Sequence, residues 1–171
     1  MQFLWMLRWL IQMLKITKNK DYFCFILENL RDEDLEELRA LWGEQWKEKT
    51  LESLEKTEVL VIFGNDGEKR KIPIAMGGFY DMSNTDVKIA CVWLLTTKFI
   101  KYNRRYFISS LVSQIEKASL KYDILFNFIY KSNFQAKQWL KKLGFCFDKK
   151  NPTSLVVEEG FEFFYKKRKE Y

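Results

Sequence analysis

Between Val59 and Tyr130 the apolar residues change their spacing twice, and that change limits the folds open to the chain. Val59 to Phe63 is a continuous apolar run that predicts a buried strand. Asn65-Asp66-Gly67 follows, a trio that tolerates positive φ and predicts a tight hairpin. The returning strand spans about Ile72 to Tyr80, with a bulge or a close backbone approach expected at Gly77-Gly78. A turn at Ser83-Asn84-Thr85-Asp86 leads to a third strand, Lys88 to Leu95. From about Asn103 to Leu120 the period becomes helical, with Ile108, Leu111, Val112, Ile115 and Ala118 on one side. Asp123 to Tyr130 is strand again. A meander followed by strand, helix and strand predicts an α/β (mixed α+β) chain with a mixed sheet and helices on both faces.

The flanks extend this pattern. Tyr22 to Leu27 predicts a short aromatic strand. Asn29 then caps a helix whose first turn is acidic (Asp32, Glu33, Asp34), suited to the positive end of the helix dipole. Leu35, Leu38, Leu41 and Trp42 give that helix an apolar stripe; Gly43 interrupts it, and a second helical piece follows through Trp46, Leu51 and Leu54. Beyond Tyr130, Asn133 to Leu143 predicts a helix, and Phe145–Phe147 with Phe161–Tyr165 a closing hairpin around a loop containing Pro152. The expected order is β-α-α-β-β-β-α-β-α-β-β, a six- to seven-stranded sheet flanked by about four helices.

The chain has no histidine, which removes Ser-His and Cys-His nucleophile pairs and every His-based metal site or general base. Cys24, Cys91 and Cys146 are far apart and odd in number; each lies in an apolar run and predicts a reduced core thiol, pointing to a cytosolic compartment. The formal charge of +6 favours anionic partners but is too small over 171 residues to be a nucleic-acid signature. The basic tail Lys166-Lys167-Arg168-Lys169 alone is the weakest of the function signals, since a charged terminus is usually only solvated.

Met1 to Leu14 is apolar apart from Gln2, Arg8 and Gln12, and at about 100° per residue Arg8, Gln12 and Lys15 share a helical stripe. The run is shorter than the roughly 20 residues that span a bilayer. It predicts an extra apolar helix with its connector over residues 1–20, packed on the domain, on a partner chain or a second copy, or lying on a membrane surface. Residues 21–171 form the main domain.

The segment Asn133-Phe134-Gln135-Ala136-Lys137-Gln138-Trp139-Leu140-Lys141-Lys142-Leu143-Gly144-Phe145 is readable physically: Asn133 caps, Ala136 packs closely, Leu140 and Leu143 bury a face, and Gly144 stops the helix. It also resembles the Asn-x-x-Ala-x-x-Leu-Tyr-x-x-x-Gly-Phe segment of the GNAT N-acetyltransferase superfamily, and the element order matches that fold over roughly residues 22–165. The resemblance implies an acyl-coenzyme A (acetyl-CoA) dependent N-acyltransferase acting on an amine acceptor. It also implies a pantetheine slot between the fourth and fifth strands, with Trp93, Leu94, Leu95 and Thr96 beside the pantetheine, Asn133 assisting and Arg104 and Arg105 at the phosphates. A narrower likeness, carried by Asn29-Leu30-Arg31 with Asp34, by Val92-Trp93-Leu94-Leu95-Thr96-Thr97 and by Trp139-Leu140, is to a GNAT-like family of short-tailed bacteriophages. That likeness implies a non-catalytic virion or binding protein as the alternative.

Two departures from the superfamily pattern bear on activity. Its glycine-rich pyrophosphate loop is replaced by Asn103-Arg104-Arg105-Tyr106-Phe107-Ile108, which puts bulk where bare backbone is expected, although Lys98, Lys101, Arg104 and Arg105 supply charge. The tyrosine that serves many relatives as general acid is Leu140 here. Asp81, Asp86 and Tyr130 lie near expected strand ends, each more readily a turn or capping residue than a catalyst.

Overall fold

The computed structural model describes residues 14–84, 86–147 and 159–168. Among them are six strands and five α-helices: β1 (Leu14–Thr17), α1 (Lys20–Glu28), α2 (Asp32–Trp42), α3 (Trp46–Glu55), β2 (Val59–Asn65), β3 (Lys71–Asp81), β4 (Ile89–Thr96), α4 (Arg104–Lys121), β5 (Ile124–Tyr130), α5 (Phe134–Lys142) and β6 (Phe161–Lys167). The strands form one sheet in the order β1-β2-β3-β4-β5-β6. The β1–β2, β2–β3 and β5–β6 pairs are antiparallel and β4–β5 is parallel, so the sheet is mixed as the element order required.

The contacts divide the chain into two compact units, one comprising the chain up to Gly78 with Leu94–Ser110, the other Phe79–Trp93 with the chain from Leu111 onward. In the first unit, Phe23, Ile26 and Leu27 of α1, Leu38 of α2, Leu54 of α3 and the strand residues Val59, Val61 and Ile74 are buried. The hairpin joining β2 to β3 is held by its own side chains: Asn65 Oδ1 accepts from Gly67 N–H, and Asp66 Oδ1 accepts from Glu68 and Arg70 N–H. In the second unit, Ala90, Ile115, Ala118, Leu125, Phe145 and Phe164 belong to a single apolar cluster. Outside that cluster, in the same unit, the rings of Phe126, Phe128 and Phe163 on β5 and β6 pack together with centroids 5.5–6.5 Å apart.

Several expectations are corrected. Tyr22–Leu27 lies in helix α1 and is not a strand. Its apolar run has no period of its own, and Asn19 decides the outcome by capping the Asp21 N–H, so that Phe23, Ile26 and Leu27 line one helical face. Asn29 does not cap α2; it closes α1, its N–H bonding Ile26 O and its Nδ2 donating to Phe25 O. The N-cap of α2 is Arg31. Of the apolar N-terminal segment, residues 1–13 lie outside the described residues, and Leu14–Thr17, within the stretch expected to hold that helix and its connector, is a strand paired with β2.

The irregularity in β3 falls at Ile74, beside Pro73, where the register jumps from Ile62↔Ala75 to Phe63↔Pro73; Gly77 is paired regularly with Leu60. On α4 the buried side runs through Phe107, Ile115 and Ala118, with Val112 left 37% exposed. Phe145–Phe147 does not form a strand; Cys146 makes one bridge to Tyr165, and its thiol is exposed, unlike the core position expected of it. Pro152 lies outside the described residues. The basic tail is largely structure: Lys167 pairs with Ile124, Lys166 Nζ donates to Leu143 O at 2.7 Å, and Arg168 pairs with Asp123.

Candidate functional site: the outer edge of the fourth strand

β4 pairs with β5 over Ile89↔Ile124, Ala90↔Leu125 and Cys91↔Phe126, and there the ladder ends, although both strands continue. Lys88 C=O faces β5, accepting from Asp123 and Ile124 N–H, whereas Ile89 C=O faces the other way, accepting from Met82 N–H. The two-residue alternation of a strand therefore sends the backbone groups of even-numbered β4 residues towards the β5 side. Val92 follows that phase, but its carbonyl meets a side chain: Asn127 Nδ2 donates to Val92 O at 2.6 Å, and Asn127 Oδ1 accepts from Phe128 N–H at 2.7 Å.

At the far end of the strand, in the first unit, Thr96 is fully occupied. Its N–H and hydroxyl both donate to Asp34 Oδ2, at 2.8 and 2.5 Å, and its carbonyl accepts from Arg31 N–H at 3.1 Å. Arg31 Nε donates to Thr96 Oγ1 and Arg31 Nη2 to Asp34 Oδ1, both at 2.6 Å. Arg31, Asp34 and Thr96 are all buried, and each charge has a partner, the condition for ions to be tolerated in a protein interior. Thr97 N–H donates to Ile74 O, so the alternation holds to the end of the strand. Among Trp93, Leu94, Leu95 and Thr96, the phase puts the N–H and C=O of Leu94 on the outer edge, where no side chain among the described residues bonds them as Asp34 bonds Thr96. Trp93, Leu94 and Leu95 are half-buried.

After Thr96 a 3-10 turn over Lys98–Tyr102 leads into α4. Asn103, 7% exposed, stands where it would cap that helix, but its carboxamide is spent elsewhere: Oδ1 accepts from Asn65 N–H and Nδ2, and its own Nδ2 donates to Asn65 O and Phe99 O. Two donors and two acceptor sites are all an amide has, so the first turn of α4 takes no cap from it. The fit is tight: a Cβ on Gly64 would meet Asn103 Oδ1 at 2.6 Å. Arg104 and Arg105 are exposed on that first turn. The bulk expected to obstruct the backbone is turned inward, since Phe107 is fully buried and the Tyr106 hydroxyl is buried with no hydrogen-bond partner in normal geometry among the described residues. Burial pushes the Tyr106 phenol above its ordinary range.

In the second unit, Asn133 is 2% exposed and caps α5, its Oδ1 accepting from Ala136 N–H, and its own N–H donates to Tyr130 O. Gly144, at φ 83°, ends that helix in the left-handed conformation that favours glycine. Leu140 is half-buried and carries no proton. Asp81 sits where β4 is still paired, beside the Met82–Ile89 hydrogen bond and the Tyr122 hydroxyl, which donates to it at 3.2 Å. Ser83 and then Tyr122 and Lys121 hold the Asp81 carboxyl below its usual range. Asp86 is exposed. Tyr130 ends β5 beyond the last β4–β5 pair, its ring 5.2 Å from that of Phe161. Among the described residues no group of His, Cys, Asp and Glu side chains is placed to hold a metal, and no helix is long and apolar enough to cross a membrane.

Sequence reasoning located β4 and the start of α4 but missed three groups. Asn127 was signalled only as a lone polar residue in the run Ile124–Tyr130, Arg31 only as a member of a motif, Asp34 only through that motif and the acidic first turn, and Asn103 only as the start of the helical spacing.

No protein-family profile and no curated protein sequence matches the chain. Solved structures do. A GNAT-family acetyltransferase from Streptococcus pneumoniae superposes with a TM-score of 0.57 at 18% identity, over 90% of this chain and 98% of that one. A Bacillus subtilis acetyltransferase in complex with CoA gives 0.55 at 14% identity, over 91% and 97%. The GNAT domain of PAT from S. lividans gives 0.65 at 11% identity, over 90% and 89%. Identities this low speak for shape alone. Together with the mixed sheet and the order of its elements, they show that the chain has the GNAT fold.

Proposed function

We propose that the chain binds an acyl-coenzyme A along the outer edge of β4 and passes its acyl group to an amine. The observation that carries this reading is the early end of the β4–β5 ladder, after Cys91 and Phe126, with Leu94 in phase on the edge beyond. A pantetheine arm is a chain of amides, and an unpaired strand edge offers them alternating N–H and C=O partners. The Leu94 N–H is the donor that would polarise a thioester carbonyl there. Arg104 and Arg105, with exposed Lys98 and Lys101, suit the phosphates, and the first turn of α4 adds backbone N–H groups that Asn103 does not cap. Asn133 is carried over from the family resemblance as an assisting contact.

The bound coenzyme supplies an acyl group already activated as a thioester. In the transfer, the amine nitrogen forms the new C–N bond, the C–S bond breaks, and the amine's proton ends on the departing sulfur. With leucine at position 140, positioning and carbonyl polarisation carry the rate on this reading. Calorimetric titration with acetyl-coenzyme A tests it. We expect one-site binding that weakens by about tenfold or more when Arg104 and Arg105 are both replaced by Ala, the loss of two charge-assisted contacts. No heat and no thermal shift at millimolar ligand overturns it.

Leu140 and the absent glycine loop favour one second reading, a non-catalytic GNAT-fold binding protein such as a component of a bacteriophage particle. Binding of the coenzyme without turnover over a panel of amines, together with co-purification with particles, would select it.

A further inference from the structure

We propose that Asn127 is a positioning residue: its carboxamide, inserted where the fourth rung of the β4–β5 ladder would form, holds β4 off β5 and keeps the outer edge of β4 open beyond Val92. The inference rests on the coenzyme A reading above and deepens it.

The phase of the ladder identifies the rung that is lost. With Lys88 C=O facing β5, the next carbonyls on that edge are those of Ala90 and Val92, and the partner due to Val92 C=O is the Phe128 N–H. Those two groups are instead linked through Asn127, by bonds of 2.7 Å from Phe128 N–H to Oδ1 and 2.6 Å from Nδ2 to Val92 O. Two hydrogen bonds and an amide in series replace one bond of about 2.9 Å, so the strands cannot keep the usual spacing of about 4.8 Å at this position.

The side chain is specific for the task. It needs an acceptor and a donor on one short stem; aspartate would turn a second acceptor onto the Val92 carbonyl, and an apolar residue would leave the backbone groups to find each other. Asparagine is otherwise poorly suited to a strand whose neighbours here are Phe126 and Phe128. The divergence is also one-sided. On its other edge β5 stays paired with β6 along its whole length, from Ile124↔Lys167 through Asn127↔Phe164 to Tyr130↔Phe161. Only the β4 side is opened.

The test compares the full chain with Asn127→Val and Asn127→Gln. In Asn127→Val the rung closes: Phe128 amide exchange, followed by NMR, slows by about tenfold or more, and cross-strand contacts appear between Val92 and residue 127. Coenzyme A affinity falls by about tenfold or more while the thermal midpoint stays level or rises, whereas a merely structural residue would lower both. Asn127→Gln, which keeps the carboxamide, restores part of the affinity. An Asn127→Val chain with unchanged Phe128 exchange overturns the wedge, and one that closes the rung yet binds coenzyme A as before overturns its positioning role. If the natural chain takes up no coenzyme A but the variant still closes the rung, the functional reading fails and the wedge stands.

Discussion

From Ile89 to Cys91, β4 is gripped by backbone pairing to β5 and by apolar side chains of the second unit, whereas at Thr96 the same strand ends against the carboxylate and guanidinium of Asp34 and Arg31 in the first. In the first stretch the holding free energy is spread over many groups, each replaceable by something of similar size. In the second it is concentrated in one buried carboxylate that accepts from the Thr96 N–H and hydroxyl and from the Arg31 guanidinium. A strand edge without a neighbouring strand has to be terminated by side chains, and such a termination is far less forgiving than a ladder.

The contrast is most easily broken at Asp34. Asp34→Ala leaves the Arg31 charge buried without its carboxylate and takes the acceptor from the Thr96 N–H and hydroxyl; we expect about 3–5 kcal/mol of lost stability by urea denaturation. A loss below about 1 kcal/mol would mean that the clamp is ornamental. Next in size is Gly64→Ala, whose methyl would drive into the Asn103 carboxamide and disturb all four of its bonds, at about 1–3 kcal/mol by the same measurement. On the ladder side, Ile129→Val in the second core removes one buried methylene and should cost about 1 kcal/mol, the scale of a distributed contact.

The smallest expected effects are chemical. Burial pushes the Cys91 thiol up to about 11, so iodoacetamide near neutral pH should label exposed Cys146 first and Cys91 last, by peptide mass spectrometry. The Asp81 carboxyl, held low by Ser83, contributes stability that is present above the ordinary carboxylate range and is lost as the pH falls through its folded value. Asp81→Asn should therefore lower the urea midpoint slightly at neutral pH and leave it unchanged at acid pH, where the carboxyl is protonated in both states.

Much of this arrangement is legible in the chain before any coordinates, and the part that is not has a common cause. The β2-to-β5 order reads directly because Asn65-Asp66-Gly67, the helical spacing after Asn103 and the strand after Tyr122 are local signals. The same holds for α5, with Asn133 at one end and Gly144 at the other. Tyr22–Leu27 misleads because a short unbroken apolar run fits strand and helix alike, and only the Asn19 cap separates them. At the site, the position of Trp93–Thr96 on β4 is readable, but the saturation of Thr96 is not, since Asp34 lies 62 residues away in the chain. Asn127 is equally silent, its partner Val92 being 35 residues distant. Local pattern fixes elements; long-range side-chain bonds decide which edges stay open.

That openness can be measured at one amide. With isotopically labelled protein, acetyl-coenzyme A should shift the Leu94 N–H resonance and slow its exchange with solvent by about tenfold or more, while the Thr96 N–H, already held by Asp34, stays unchanged. A Leu94 amide that is indifferent to the ligand, or that is protected in the free chain as firmly as that of Ala90, would contradict an open edge on β4.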